Sequence, residues 1–106
     1  MKKGLSTMKL NLSTYLYDLK HYLNEKLPEM QQQLDAAENA ERLVIDWYES
    51  LTEDEYAPIA PEAERKLDGA INERRRLSDL VEILDEAIGL ARKLDEDLDY
   101  LNNMGL

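Results

Sequence analysis

The chain has 106 residues, no cysteine, and 23 acidic against 13 basic side chains, which gives a formal charge of −10. This length suits one domain with a modest core, and the lack of cysteine excludes disulfides and thiolate chemistry. An acidic chain repels phosphate, so direct nucleic-acid binding is disfavoured, whereas basic protein surfaces are attracted. No apolar run approaches the ~20 residues of a membrane span, and the first residues lack the apolar region of a signal peptide. We therefore expect a cytoplasmic protein with no membrane contact.

The composition predicts an all-α fold. Phenylalanine is absent, and the chain has only four glycines and three prolines. Leucine, alanine and charged residues dominate, as they do in long helices, and no alternating pattern predicts a strand. Residues 1–11 are expected to form a flexible N-terminal arm, with a translation start at Met8 as a hypothesis. Residues 12–106 are expected to form a single helical domain.

The first helix is predicted to begin at Ser13 or Thr14, both good N-caps, and to end near Leu51. Along it an apolar stripe recurs every three or four residues, which turns one face of the helix toward one partner. The stripe runs through Leu12, Leu16, Leu19, Leu23, Leu27, Met30, Leu34, Ala37, Val44, Tyr48 and Leu51. Pro28 falls inside this stripe, where proline removes a backbone hydrogen bond. The stripe keeps its phase across Pro28, so one kinked helix is favoured over two helices that are broken there.

Residues 52–60 contain Pro58 and no periodicity, which predicts a connection. A second helix is predicted from Pro61 to about Asn103, because proline suits the first helical position and the acids after it suit the helix dipole. Its apolar stripe matches that of the first helix when the two run antiparallel. In every facing pair the two residue numbers then sum to 114 or 115. We therefore predict an antiparallel two-helix hairpin.

Two charged residues, Glu41 and Arg74, interrupt the two stripes at the same level of this hairpin. A polar pair at such a position can set the register of two helices, so one prediction is that they face each other. The alternative is that both side chains extend outward into solvent without touching. The second helix also carries another apolar stripe that a two-helix hairpin leaves uncovered. This predicted dimer face consists of Leu80, Ile83, Ala87, Leu90 and Leu94. Because the helices match in length, we expect two hairpins to pair into a four-helix bundle; folding at Pro28 into a three-helix bundle is the alternative.

A partner-binding surface is predicted where the first helix starts and the second helix ends. Acids near a helix C-terminus oppose the macrodipole and are locally unfavourable, so we expect them to serve a partner. Tyrosine suits a surface that is both apolar and wet, as protein-binding surfaces are. The predicted partner-binding residues are Tyr15, Tyr17, Tyr22, Asp95, Glu96, Asp97, Asp99 and Tyr100.

Carboxylates also recur three residues apart, at Glu38 and Glu41 and at Glu82 and Asp85. This pattern resembles that of the MazG-like nucleotide pyrophosphohydrolases, small all-helical oligomers that bind Mg²⁺ through a Glu-x-x-Glu pair and a later Glu-x-x-Asp pair. The resemblance implies a Mg²⁺-dependent pyrophosphohydrolase as one alternative. His21 is the only histidine, which is too few for the usual di-metal site of a helical bundle. The residues themselves predict no catalytic residue, metal site or cofactor.

Together these patterns favour a non-catalytic protein that acts by binding another protein. In one hypothesis, an acid-rich surface imitates the charge of nucleic acid and blocks the basic groove of a nucleic-acid-binding enzyme, as small phage or mobile-element inhibitors do. In the alternative, the chain is a homodimeric structural or adaptor bundle, and its acidity only keeps it soluble. Salt distinguishes the two, because it weakens electrostatic capture of a basic partner far more than an apolar dimer contact.

Overall fold

The computed structural model describes the backbone of residues 2–105 and the side chains of residues 14–105. Helix α1 runs over Lys2–Ser50, the one-turn helix α2 over Glu53–Tyr56, and helix α3 over Ala60–Asn103. A 3₁₀ turn at Ala57–Ile59 joins α2 to α3. The described part of the chain contains no strand, so the all-α prediction is confirmed.

Helix α1 differs from its predicted form at its start. It begins at Lys2, well before the predicted caps Ser13 and Thr14. A cap forms only where the preceding residues leave the helix, and residues 2–12 contain no proline and only one glycine to end a helix there. The side chains of residues 1–13 lie outside the described part of the chain, and the flexible arm at residues 1–11 stays a prediction.

Pro28 lies inside α1, which continues through it as one helix. The predicted alternatives of two helices broken at Pro28, and of a three-helix bundle folded there, are therefore wrong. Proline deprives the carbonyl of Asn24 of its N–H donor. Both Asn24 and Pro28 are exposed, so water can hydrogen-bond the freed carbonyl, and the remaining turns of the helix are kept.

The connection between the long helices is more regular than its sequence pattern predicts. Thr52 caps α2: its hydroxyl accepts the backbone N–H of Glu55, and the Glu55 carboxylate accepts the backbone N–H of Thr52. This reciprocal arrangement is a capping box, and the acids of the first turn of α2 suit the helix dipole. The four residues from Thr52 to Glu55 carry the signature, so the sequence did contain the signal for α2.

The chain divides into two compact units, each of which takes segments from α1 and α3. Unit 1 comprises Met1–Pro28 and Ile83–Leu106, and unit 2 comprises Glu29–Glu82. Unit 1 contains a small apolar core, and further apolar side chains pack against it. The core residues are Leu16, Leu23, Ile88 and Ala91, and Leu27, Leu84, Ala87 and Leu98 pack against them. All eight belong to apolar stripes that the periodicity predicts: Ala87 lies in the predicted dimer face, and the other seven lie in the two stripes that face each other in the predicted hairpin.

Unit 2 buries Ala63 and Leu77 of α3 and holds the connection. Within it, the Arg74 Nε donates to the Glu41 Oε2 at 2.7 Å. The two side chains keep 32% and 18% of their accessible surface, so the ion pair is largely withdrawn from solvent. The contact between these two residues is as predicted, while its role in setting the register stays a prediction.

Candidate protein-binding surfaces

Unit 1 leaves an apolar face uncovered. Leu19, Ile83, Leu90 and Leu94 are all exposed, and Leu90 keeps 69% of its accessible surface. Leu19, Leu90 and Leu94 border a groove of about 290 Å³ between the two helical segments of this unit. The groove is lined by Leu16, Leu19, Leu23, Ala87, Leu90, Ala91 and Leu94. A contiguous apolar surface rather than scattered single residues marks an interaction site.

This face includes most of the predicted dimer face. Ile83, Leu90 and Leu94 are exposed, Ala87 is half-buried beside them, and all four lie in unit 1. Leu80 is half-buried and lies in unit 2. The contribution of α1 was missed, because its residue Leu19 belongs to the stripe that was assigned to contacts inside the hairpin.

The predicted tyrosines are all in unit 1 and all exposed. Tyr17 stacks on His21 with ring centroids 6.4 Å apart, and the Lys26 ammonium lies 5.8 Å from the centroid of the Tyr22 ring. The latter distance is within the range of a cation–π contact. Tyr15 and Tyr100 are likewise exposed, so the aromatic surface is available to a partner.

Not all acidic residues of the predicted partner-binding surface are free of contacts within the chain. The Lys20 Nζ donates to the Asp95 Oδ2 at 2.9 Å, so Asp95 has an intramolecular partner. Glu96, Asp97 and Asp99 are exposed. Of the acidic part of the predicted surface, these three are therefore the stronger candidates for an external partner.

The larger acid excess lies elsewhere, in unit 2. Residues 29–82 contain fifteen acids and six bases, a net charge of −9, whereas the rest of the chain contains eight acids and seven bases, a net charge of −1. This asymmetry is not evident from the sequence, because the boundaries of the units are visible only in the folded chain. Unit 2 is the strongly anionic part of the molecule, whereas unit 1 carries ten of the eleven large hydrophobic side chains that are exposed in the described residues.

Several basic side chains of unit 2 engage neighbours within the unit. Arg74 binds Glu41, and Arg76 donates to both carboxylate oxygens of Glu73, one of them at 2.7 Å. The Arg76 guanidinium lowers the pKa of Glu73 through these hydrogen bonds. The Lys66 ammonium lies 4.6 Å from the centroid of the Trp47 ring. Contacts of this kind leave the cations less able to offset the exposed carboxylates for an approaching partner.

A second polar cluster fixes the connection to α3. The hydroxyls of Tyr48 and Tyr56 both donate to the Glu64 Oε1, the latter at 2.8 Å. The two rings meet edge to face with centroids 5.8 Å apart. The pKa of Glu64 is lowered by these hydrogen bonds, mainly by the one from Tyr48 and next by the one from Tyr56. The hydrogen bond to Glu64 in turn raises the pKa of Tyr48 well above its ordinary value.

This cluster predicts how stability depends on pH. The pKa of Glu64 is lower in the folded state, so its stabilising contribution is present above the ordinary glutamate pKa and is lost as the pH falls through the folded value. The pKa of Tyr48 is raised, so its contribution is complete below the ordinary tyrosine value of 10.0 and is lost as the pH rises beyond it. Urea unfolding across the pH range checks both limits. Glu64→Gln should reduce both the loss of stability at low pH and the loss of stability at high pH. Stability profiles identical to those of the unchanged chain would contradict the assignment.

No protein family, curated protein or solved structure matches this chain. The surfaces described above are therefore the basis for any functional assignment. Among the described side chains, no three histidine, aspartate or glutamate residues are grouped to hold a metal ion. Of the MazG-like positions, Glu41 binds Arg74, and Glu38, Glu82 and Asp85 are exposed. In the described residues, no helix has the length and apolar character to span a membrane.

Proposed function

We propose that this chain is a non-catalytic helical protein that binds a basic surface of another protein. More specifically, it inhibits a nucleic-acid-binding enzyme by presenting carboxylates where that enzyme binds phosphates. The observation that carries this proposal is the concentration of charge in unit 2, with a net charge of −9 over residues 29–82. If the excess of acidic side chains served only solubility, we would expect it to be spread over both units.

The arrangement of the acids on α1 supports this proposal. Glu38, Asp46 and Glu49 are exposed and lie at positions that share one face of a helix, with one cation, Arg42, between the first two. The Arg42 guanidinium donates a hydrogen bond to the side chain of Asn39. Carboxylates at fixed spacing along a helix offer a row of anionic oxygens to cationic side chains, which bind carboxylate and phosphate with similar geometry. Electrostatic complementarity of this kind raises the association rate with a basic groove and excludes acidic partners.

We also propose that α1 and α3 pair antiparallel in one register, as a hairpin. Two ion pairs support this, one in each unit: Lys20 with Asp95 in unit 1, and Glu41 with Arg74 in unit 2. In both pairs the residue numbers sum to 115, which is one of the two sums, 114 and 115, that the predicted register gives. A rigid pair of helices would hold the carboxylates of α1 at fixed spacing.

The second candidate function is a homodimeric structural or adaptor bundle. The exposed apolar groove of unit 1 favours it, because an uncovered apolar surface of this kind marks an association site. Both candidates are compatible in one molecule: unit 1 would hold two copies together, and unit 2 would meet the basic partner.

The experiment for the proposed function measures inhibition of DNA binding by a panel of purified nucleic-acid enzymes, using labelled duplex DNA. We expect at least one enzyme to release its DNA, with inhibition that weakens steeply between low and moderate ionic strength. Neutralising the α1 row with Glu38→Gln, Asp46→Asn and Glu49→Gln should weaken inhibition.

A matched control removes the same number of charges from unit 1. The triple variant Glu96→Gln, Asp97→Asn and Asp99→Asn changes the net charge equally but leaves the acids of unit 2 in place. We expect it to inhibit nearly as well as the unchanged chain. A stronger loss in this variant would move the binding surface to the sequence-predicted residues near Tyr100, and inhibition that neither variant weakens would contradict an acidic mimic.

A further inference from the structure

The apolar stripe of unit 1 has the spacing of a coiled-coil seam. Its residues Ile83, Ala87, Leu90 and Leu94 follow one another at intervals of four, three and four along α3. This is the repeat that keeps one seam of a helix facing a second helix. Three of the four are exposed and Ala87 is half-buried, so within the described part of the chain this seam has no full cover.

We propose that two copies of this chain pair through residues 83–94 of α3, with the two segments antiparallel about a two-fold axis. This inference deepens the homodimer of the proposed function and rests on it. The axis lies beside the segment between Ala87 and Leu90. In this arrangement Leu90 packs against Ala87 of the second copy, and Ile83 packs against Leu94 of the second copy. Because of the two-fold symmetry, every contact occurs twice.

Charge fixes the antiparallel direction. Glu86 and Lys93 are both exposed and lie seven residues apart, on the flank of the seam that faces away from the core of unit 1. In an antiparallel pair, this flank of one copy faces the same flank of the other copy. Glu86 of each copy therefore meets Lys93 of the other copy. A parallel pair would instead turn this flank toward the opposite flank of the second copy, where Leu84 and Ala91 lie, so neither Glu86 nor Lys93 would meet an opposite charge.

The charge around the groove favours a second copy over a basic protein as the occupant. The groove-lining segment 16–23 and the seam segment 83–94 together contain three carboxylates, Asp18, Asp85 and Glu86, and three cations, Lys20, Arg92 and Lys93. This balanced charge gives a basic partner no net attraction, whereas two copies of the segment can pair their opposite charges. Two copies that meet here keep their strongly anionic units out of the interface, which reduces the repulsion between chains of charge −10.

The decisive experiment reverses one charge at a time and measures self-association by analytical ultracentrifugation. Glu86→Lys leaves only cations on the flank, and Lys93→Glu leaves only anions, so each variant alone should dimerise about tenfold or more weakly than the unchanged chain. An equimolar mixture restores both opposite-charge contacts. It should therefore form a heterodimer about as tight as the original homodimer.

A matched pair of leucines tests the seam itself. Leu90→Asp places a carboxylate at the centre of the proposed interface and should give a monomer, while Leu43→Asp, at a leucine of similar exposure in unit 2, should leave the dimer intact. Circular dichroism verifies that both variants remain helical. Single charge reversals that dimerise normally, or a mixture no tighter than its components, would overturn the antiparallel pairing. A monomeric unchanged chain would overturn the homodimer, while the inhibition assay independently tests the acidic surface.

Discussion

Replacing Leu77 by alanine is expected to lower the free energy of unfolding by about 2–5 kcal/mol. Leu77 retains only 3% of its accessible surface in unit 2. Its removal forfeits the transfer free energy of the buried side chain and leaves a cavity that two packed helical segments cannot fully close. Because the cost comes from packing rather than from charge, it should persist at high salt.

The control for this change is Leu43→Ala, in the same unit. Leu43 keeps 65% of its accessible surface, so its truncation removes little buried area and should change stability by no more than about 0.5 kcal/mol. Urea unfolding followed by circular dichroism, at one fixed protein concentration, compares the two variants. Equal midpoints for Leu77→Ala and Leu43→Ala would show that unit 2 does not pack as described.

The ion pair between Glu41 and Arg74 should show strong coupling in a double-mutant cycle. Arg74→Leu leaves the Glu41 carboxylate with 18% of its surface exposed and without its cation, which we expect to cost about 1–3 kcal/mol. Glu41→Leu likewise leaves the Arg74 guanidinium without its carboxylate partner. The double leucine variant leaves neither charge unpaired and extends the apolar stripe, so it should be more stable than either single variant.

The pair Lys20 and Asp95 provides the comparison for this cycle. Lys20 and Arg74 are equally exposed, but Asp95 keeps 47% of its accessible surface against 18% for Glu41. Solvent therefore screens the pair of Lys20 and Asp95 better, and its coupling energy should be no more than about 1 kcal/mol. Unfolding free energies of the single and double variants give both coupling energies. Simple additivity at Glu41 and Arg74 would mean that the two side chains do not interact in solution.

The sequence predicts the helices and the Glu41–Arg74 contact well, because both follow from one periodicity. Hydrophobic residues at intervals of three and four leave a helix few choices of face, and the structure buries or half-buries residues of the predicted stripes such as Leu16, Leu23 and Leu77. Pro28 is tolerated because one exposed hydrogen bond is lost from an otherwise continuous helix. Helix α2 was missed because two prolines outweighed the short capping signature of Thr52 and Glu55.

The candidate surfaces could be predicted only in part. Exposure of Leu90 and of the tyrosines follows from their helical positions, but the separation of acid from apolar surface depends on which segments pack into one unit. Leu19 shows the same limit: its spacing assigns it to an internal stripe, yet the groove of unit 1 leaves it exposed. Periodicity identifies the face of a helix and does not reveal how completely a neighbour covers it.

The central claim is that unit 1 associates through apolar contacts while unit 2 holds the charge for a basic partner. Sedimentation equilibrium of the unchanged chain over a range of salt concentrations tests it most directly. We predict a dimer that persists as ionic strength rises, because apolar contacts hold it and salt screens the repulsion between two anionic chains. A chain that stays monomeric at every ionic strength, or a dimer that dissociates steeply with added salt, would contradict this account.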